Sequence, residues 1–221
     1  MKKLLLSLLL AGASLVTFAQ LPTIGIKGGV NFATLNASIG GLSANSNSLT
    51  TFNAGVFVDF KFGNVSLQPA LNLSGKGGKF NGASFTDNSD PNVDVEIEQG
   101  TGKVNLLYLQ LPVNIVYHVP VVVGDIYFGA GPYAARGISG KIKVTDPQSG
   151  QTASEDVKFG GNDDNSIKSM EYGANAIAGI KLKGGLLFNV NYDLGLTNIN
   201  PTADSGKLKT RVFGISVGYA F

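Results

Sequence analysis

The C-terminal segment 212–221 alternates without a break. Phe213, Ile215, Val217, Tyr219 and Phe221 share one side of an extended strand, and Val212, Gly214, Ser216, Gly218 and Ala220 share the other. Large apolar groups on one face and very small ones on the opposite face fit a wall with hydrocarbon outside and crowded side chains inside. A single such strand is equally compatible with a soluble sandwich whose apolar face is the core.

The recurrence of the pattern separates the two cases. Strands are predicted at 24–35, 51–62, 65–75, 104–118, 125–137, 169–183, 187–198 and 209–221. Eight is an even number, and most of these segments reach the roughly 9 to 11 residues that cross a membrane at a tilt. Their connections alternate. Short ones fall at Gly63-Asn64, at 119–124 and at Gly184-Gly185, and long ones at 36–50, 76–103, 138–168 and 199–207. A sandwich has no reason to sort its loops by length, whereas membrane barrels place short turns on the periplasmic side and long loops outside. The expected fold is therefore all-β: an eight-stranded antiparallel transmembrane up-and-down barrel with both termini in the periplasm. A soluble barrel with its apolar residues turned inward is the rival.

The expected lipid face carries Ile24, Ile26, Val30 and Phe32, then Phe52, Val56, Val58, Phe60 and Phe62, then Val65, Leu67, Leu71 and Leu73. It continues through Leu107, Leu109, Leu111, Val113, Ile115 and Tyr117, with Tyr117, Tyr219, Phe60 and Phe221 as girdle aromatics. The opposite face collects Lys27, Asn31, Asn53, Asp59, Gln68, Asn72, Gln110, Asn114, Glu171, Asn175, Lys181, Asn191 and Asp193. An eight-stranded barrel is just wide enough to be filled by such groups, so a plugged lumen is expected, with Lys27 or Lys181 pairing Asp59, Glu171 or Asp193. Pro69, Pro112 and Pro132 interrupt predicted strands and are expected to mark bulges or bends. The phase of 125–137 stays open, because Tyr127 and Tyr133 oppose Ile126 and Phe128.

Residues 1–19 read as a secretory signal peptide: Lys2 and Lys3, an apolar run from Leu4 to Val16, and small residues at Thr17 and Ala19. Residues 20–221 then form the barrel domain. Without Lys2 and Lys3, 15 of the 17 basic residues remain against 15 acidic ones. That balance offers nothing to nucleic acid. Cysteine is absent, so neither a disulfide nor a lipid-modified cysteine contributes.

Several segments resemble, in order, the small outer-membrane β-barrel domain family often labelled porin family, which includes PorT-like proteins. They are Gly25-Ile26-Lys27-Gly28-Gly29-Val30-Asn31-Phe32, Ser66-Leu67-Gln68-Pro69 with Lys76-Gly77 after it, Tyr108-Leu109-Gln110-Leu111-Pro112, Gly129-Ala130-Gly131-Pro132-Tyr133, Asp193-Leu194-Gly195-Leu196-Thr197-Asn198-Ile199 and Gly218-Tyr219-Ala220-Phe221. The resemblance implies an integral outer-membrane location and tolerance of all three prolines. It also implies contact of the last strand, ending in Phe221, with the outer-membrane insertion machinery. Ala70 departs from the family's more usual Leu-Gln-Pro-Glu pattern and removes an interior carboxylate. No catalytic activity is implied.

Chemistry-bearing motifs are sparse. The single histidine, His118, is expected to be a half-exposed polar residue near a periplasmic turn, with no Ser and Asp grouped about it. Asp87, Asp90, Asp94, Glu96 and Glu98, and Asp156, Asp163 and Asp164, are read as solvated acidic loops. The segment 160–165 has calcium-ligand residue types but lacks the spacing and closing Glu of an EF-hand. No catalytic, cofactor-binding or metal residue is assigned and no cofactor is expected. The expected partners are outer-membrane lipid, the insertion machinery and an unidentified extracellular or secretion partner, and the chain is expected to be monomeric and non-enzymatic. A narrow pore for small solutes, or an accessory barrel of a secretion or assembly system, is the alternative.

Overall fold

The structure is a computed structural model, described here for residues 21–39, 42–87, 94–145, 151–160, 166–201 and 206–221. The signal-peptide segment, Asp90 and all of the calcium-type segment except Gly160 lie outside the described residues. The strands are β1 (Thr23–Ile39), β2 (Leu42–Asn45), β3 (Leu49–Phe62), β4 (Val65–Asp87), β5 (Asp94–Val121), β6 (Gly124–Thr145), β7 (Thr152–Asp156), β8 (Lys158–Phe159), β9 (Ser166–Ile167), β10 (Met170–Leu182), β11 (Leu186–Gly195) and β12 (Lys207–Ala220).

Eight of them close a barrel in the order β1, β3, β4, β5, β6, β10, β11, β12 and back to β1, every pairing antiparallel. Closure runs from Gly25 opposite Ala220 to Ser38 opposite Lys207, and the Phe221 N–H donates to the Ile24 carbonyl at 2.8 Å. No edge is left along the shared length, which is what a strand structure needs where no water is available to the backbone. The three short turns and both strand termini share one end of the barrel. Gly63 and Gly185 take φ of 65° and 88° in two of those turns, a left-handed backbone that glycine adopts without penalty.

The outward face is apolar, as the alternation predicts. Ile24, Ile26, Val30, Phe52, Val56, Leu67, Leu71, Leu111, Ile115, Phe188, Phe213, Ile215 and Val217 are all exposed on it. Aromatics meet near the turn end, with Tyr219 and Phe221 5.1 Å apart and Tyr117 and Phe128 5.7 Å apart between ring centroids. Toward the other end Phe32 stacks with Phe213. The phase of β6 is settled: Tyr127 and Tyr133 are buried in the lumen, and Ile126 and Phe128 face outward.

Two expectations are corrected. The segment expected to be a loop at 76–103 is strand over 76–87 and 94–103. β4 and β5 stay paired as far as Thr86 opposite Asp94 and rise as a long hairpin beyond the lipid-facing band, while β6 continues to Thr145 and pairs with β7. The prolines do not mark bulges. The β3–β4 ladder breaks between the pairs Phe57–Ala70 and Phe60–Leu67 and resumes in the same register, with Pro69 in the gap. The β4–β5 ladder does the same across Pro112, and the β5–β6 ladder across Pro132. Each proline removes a donor and costs local pairing without adding a residue to its strand. Register shifts occur elsewhere, between Asn81 and Ala83 and between Leu107 and Tyr108.

Inside, the barrel is layered. Phe57, Ala70, Leu187 and Ala220 form a small apolar cluster toward the turn end, so Ala70 sits in a greasy layer. At the hairpin end Leu35, Leu106, Tyr108, Tyr133 and Ala135 from the wall pack with Val157, Ile167 and Ile199 from the connections. Phe159 lies edge-on to Tyr108 at 5.8 Å and occupies the space where a Cβ on Gly137 would stand. These groups cap the polar lumen.

Candidate functional site

Among the described residues, buried polar side chains converge in the lumen on three levels. The first lies under the apolar cap. Lys76 on β4 and Glu171 on β10 are both fully buried, and Lys76 Nζ donates to Glu171 Oε1 at 2.7 Å. Tyr133 donates to the same oxygen at 2.5 Å and Thr210 at 2.8 Å, so one carboxylate oxygen accepts three hydrogen bonds. Lys76 Nζ also lies 4.5 Å from the centroid of the Tyr133 ring and 5.2 Å from that of Tyr108. A buried charge pair is tolerated when its charges are paired and hydrogen-bonded, and here both conditions are met. Glu171 Oε2 and Tyr108 Oη have no hydrogen-bond partner among the described residues.

The second level is an amide belt. Asn53 donates to Asn31 Oδ1 at 2.7 Å, and Asn31 donates to Ser74 Oγ and the Gly75 carbonyl, both at 3.1 Å. Asn114 donates to Asn175 Oδ1 at 2.7 Å, and Asn175 donates in turn to Asp193. Gly214 supplies room for this belt, because a Cβ there would collide with the amide oxygens of Asn31 and Asn191. The enclosed cavity remaining beside these residues is about 20 Å³.

The third level lies toward the short turns and corrects the reading of His118. That residue is buried and only 4% exposed. Ser66 Oγ is 2.9 Å from its Nε2, and Asp59 Oδ2 is 3.5 Å from the same atom. Ser, His and Asp are therefore grouped where the sequence suggested no grouping. They are not arranged as a proton relay, which needs the serine on one ring nitrogen and the carboxylate on the other. His118 Nδ1 has no hydrogen-bond partner among the described residues, and the ring leans on Tyr127 at 6.1 Å. The adjoining cavity is also about 20 Å³, the size of a single water site.

The mouth beyond is wetter. Asp125 Oδ2 bridges Lys61 at 3.4 Å and Lys181 at 3.7 Å, each side chain about a fifth exposed. An open depression of about 740 Å³ lies there, lined by Asp125, Lys181, Lys183 and Phe221 among others. None of the expected pairings of Lys27 or Lys181 with Asp59, Glu171 or Asp193 is an ion pair among the described residues. Glu171 pairs with Lys76, Lys181 with Asp125, and Asp59 faces His118, while Lys27 makes no ion pair among the described residues. Lys76 falls in the stretch expected to be a loop and lies instead on β4. Its parity was the available signal, since Gln68, Asn72, Ser74 and Lys76 all point inward at even positions on β4. His118 shares the parity of Gln110 and Asn114 in the same way.

A family model described as an outer membrane protein beta-barrel domain matches residues 18–200. No curated protein matches the chain. Among solved structures, the attachment invasion locus protein Ail of Yersinia pestis aligns at 14% identity and a TM-score of 0.43, covering 90% of this chain and 98% of that one. Neisserial surface protein A aligns at 10% identity and a TM-score of 0.42, covering 92% and 99%. The outer membrane protease OmpT of Escherichia coli aligns at 10% identity and a TM-score of 0.35, covering 90% and 96%. At these scores the likenesses say nothing about what the lumen does.

Proposed function

The chain belongs to the outer membrane protein beta-barrel domain family, and from that premise we propose that it is a non-enzymatic, monomeric barrel whose wall anchors it and whose hairpins make its contacts. In this reading residues 1–19 are removed on export, both termini face the periplasm, and the β4–β5 and β6–β7 hairpins stand outside the cell. The strand ending in Phe221 is the part offered to the insertion machinery. Lipid is the wall's partner, and specificity belongs to the hairpins, where binding residues on a rigid scaffold usually lie.

One observation carries the reading. The lumen is filled: Tyr108, Lys76, Gln110, Glu171, Asn31 and Thr210 are among the largest fully buried side chains, and an apolar cap covers them. A passage for solutes needs a continuous wet path, and the enclosed spaces within these polar layers are of single-water size. The planar-bilayer experiment follows directly. Purified full chain is expected to give no stable unitary conductance step, and a reproducible step would transfer the assignment to a narrow pore. The non-enzymatic part is supported by the one-sided contacts of His118, with Ser66 and Asp59 both at Nε2.

A further inference from the structure

The outer wall of the barrel changes character at one height on two neighbouring strands. On β5 the outward residues run Tyr117, Ile115, Val113, Leu111, Leu109 and Leu107, then become Asn105 and Lys103. On β6 they pass from Ile138 and Ser139 to Lys141 and Lys143. Val104 and Ile142 pack inward against the cap, which fixes the outward direction of the lysines on either side of them. At this boundary the wall holds a groove of about 510 Å³, with Phe52 and Leu107 at its apolar end and Lys103, Lys141 and Lys143 at its basic end.

The lysines are also placed at a cost. Lys79 lies directly opposite Lys103, and Lys103 directly opposite Lys143, so three like charges stand abreast on one face across three strands. Opposed like charges destabilise a sheet. Asp156 reaches Lys141 at 3.9 Å, but among the described residues Lys79, Lys103 and Lys143 form no ion pair. The acidic residues of the same hairpin, Asp94, Glu96 and Glu98, come beyond Thr101, farther from the lipid-facing band. Charge is therefore sorted along the hairpin, with positive next to the apolar band and negative away from it.

We propose that this groove is a binding site for the phosphorylated headgroup of a membrane lipid, with an acyl chain lying along Phe52 and Leu107 and phosphate oxygens accepting from Lys103 and Lys143. Lysine ammonium groups bind phosphate as point charges, and basic side chains at the edge of an apolar span recruit anionic lipid. A soluble polyanion or an acidic protein would use the lysines but not the apolar floor, which is continuous with the lipid-facing wall. The site deepens the reading that the hairpins stand outside the cell, since that reading makes the surrounding leaflet the outer one.

The test uses the full chain folded in detergent micelles, with the heat-modifiable gel shift reporting the unfolding midpoint. Diphosphoryl lipid A is expected to raise the midpoint, and neither dephosphorylated lipid A nor inorganic phosphate should do so. The double variant Lys103→Gln/Lys143→Gln should bind diphosphoryl lipid A roughly 30-fold more weakly, the equivalent of two surface lysine–lipid attractions. Lys183→Gln, at the opposite end, should bind it normally. Should the double variant fail to fold, as the gel shift without lipid would reveal, Lys143→Glu alone at its exposed position carries the same test. An equal response to dephosphorylated lipid, full reproduction by inorganic phosphate, or unchanged affinity in the lysine variants would overturn the site. Orientation is read separately. Val144→Cys supplies the only thiol in the chain, and labelling of intact cells by a membrane-impermeant maleimide places the hairpin outside, whatever the lipid result.

Discussion

The two ends of the lumen hold the same chemistry under different conditions. At the hairpin end Lys76 and Glu171 are completely buried and share their hydrogen bonds with Tyr133 and Thr210. At the turn end Lys61, Asp125 and Lys181 form an equally recognisable ion cluster, but each is about a fifth exposed beside an open depression. Coulomb attraction grows as water is excluded, and so does the cost of leaving one member alone. The buried pair therefore works as a lock whose halves depend on each other, and the exposed trio as an adjustable fringe.

The most severe way to break this contrast is Lys76→Met. It leaves Glu171 charged, buried and short of its cation, and the expected loss is about 3 to 5 kcal/mol in urea unfolding followed by gel mobility. The double variant Lys76→Met/Glu171→Leu should recover most of that loss, because a buried pair can be replaced by apolar groups of similar volume at little net cost. A loss in the double variant equal to the sum of the two single losses would show that the two residues are not coupled. Tyr133→Phe removes one donor to the carboxylate and should cost about 1.5 to 3 kcal/mol, the range for hydrogen bonds to charged groups. Enlarging Gly214 to Val presses on Asn31 and Asn191 and should cost about 1 to 3 kcal/mol through overpacking. The smallest effect is expected at the other end, where Asp125→Asn should change stability by less than about 1 kcal/mol and should matter least at high salt. A larger loss there than at Lys76 would invert the comparison.

The barrel was legible because lipid writes a two-residue period onto every strand that crosses it. Phe213 to Phe221, Leu107 to Tyr117 and the even positions of β4 carry inside and outside in their order alone. Legibility ends where the lipid does. Beyond Leu73 and Leu107 both faces of the β4–β5 hairpin leave the hydrocarbon, Gly77, Gly78 and Lys79 no longer alternate by polarity, and a paired strand looks like a loop. Lys76 was lost at that boundary. The prolines misled for a different reason. A missing N–H can be accommodated by a bulge or by a gap in the ladder, and local sequence does not distinguish them. Here all three leave gaps, side by side, because Pro69 faces Val113 and Val113 lies opposite Pro132 in the continued register. His118 keeps the inward parity of Gln110 and Asn114 up to the turn, and its partners Ser66 and Asp59 come from other strands, which local sequence does not reveal.

The bond from the Phe221 N–H to the Ile24 carbonyl, at the end of the closing ladder, also sets a timetable. It joins residues separated by most of the chain, so its loop-closure entropy is among the largest any contact here must overcome. Neighbouring hairpins such as β10–β11 close over short loops and can form early, while the β1–β12 ladder has to await both ends of the chain. Until then the two edge strands carry open rows of donors and acceptors, and the nascent protein is a sheet in search of a partner. Pairing of β12 with β1 is thus the step that ends the period of vulnerability.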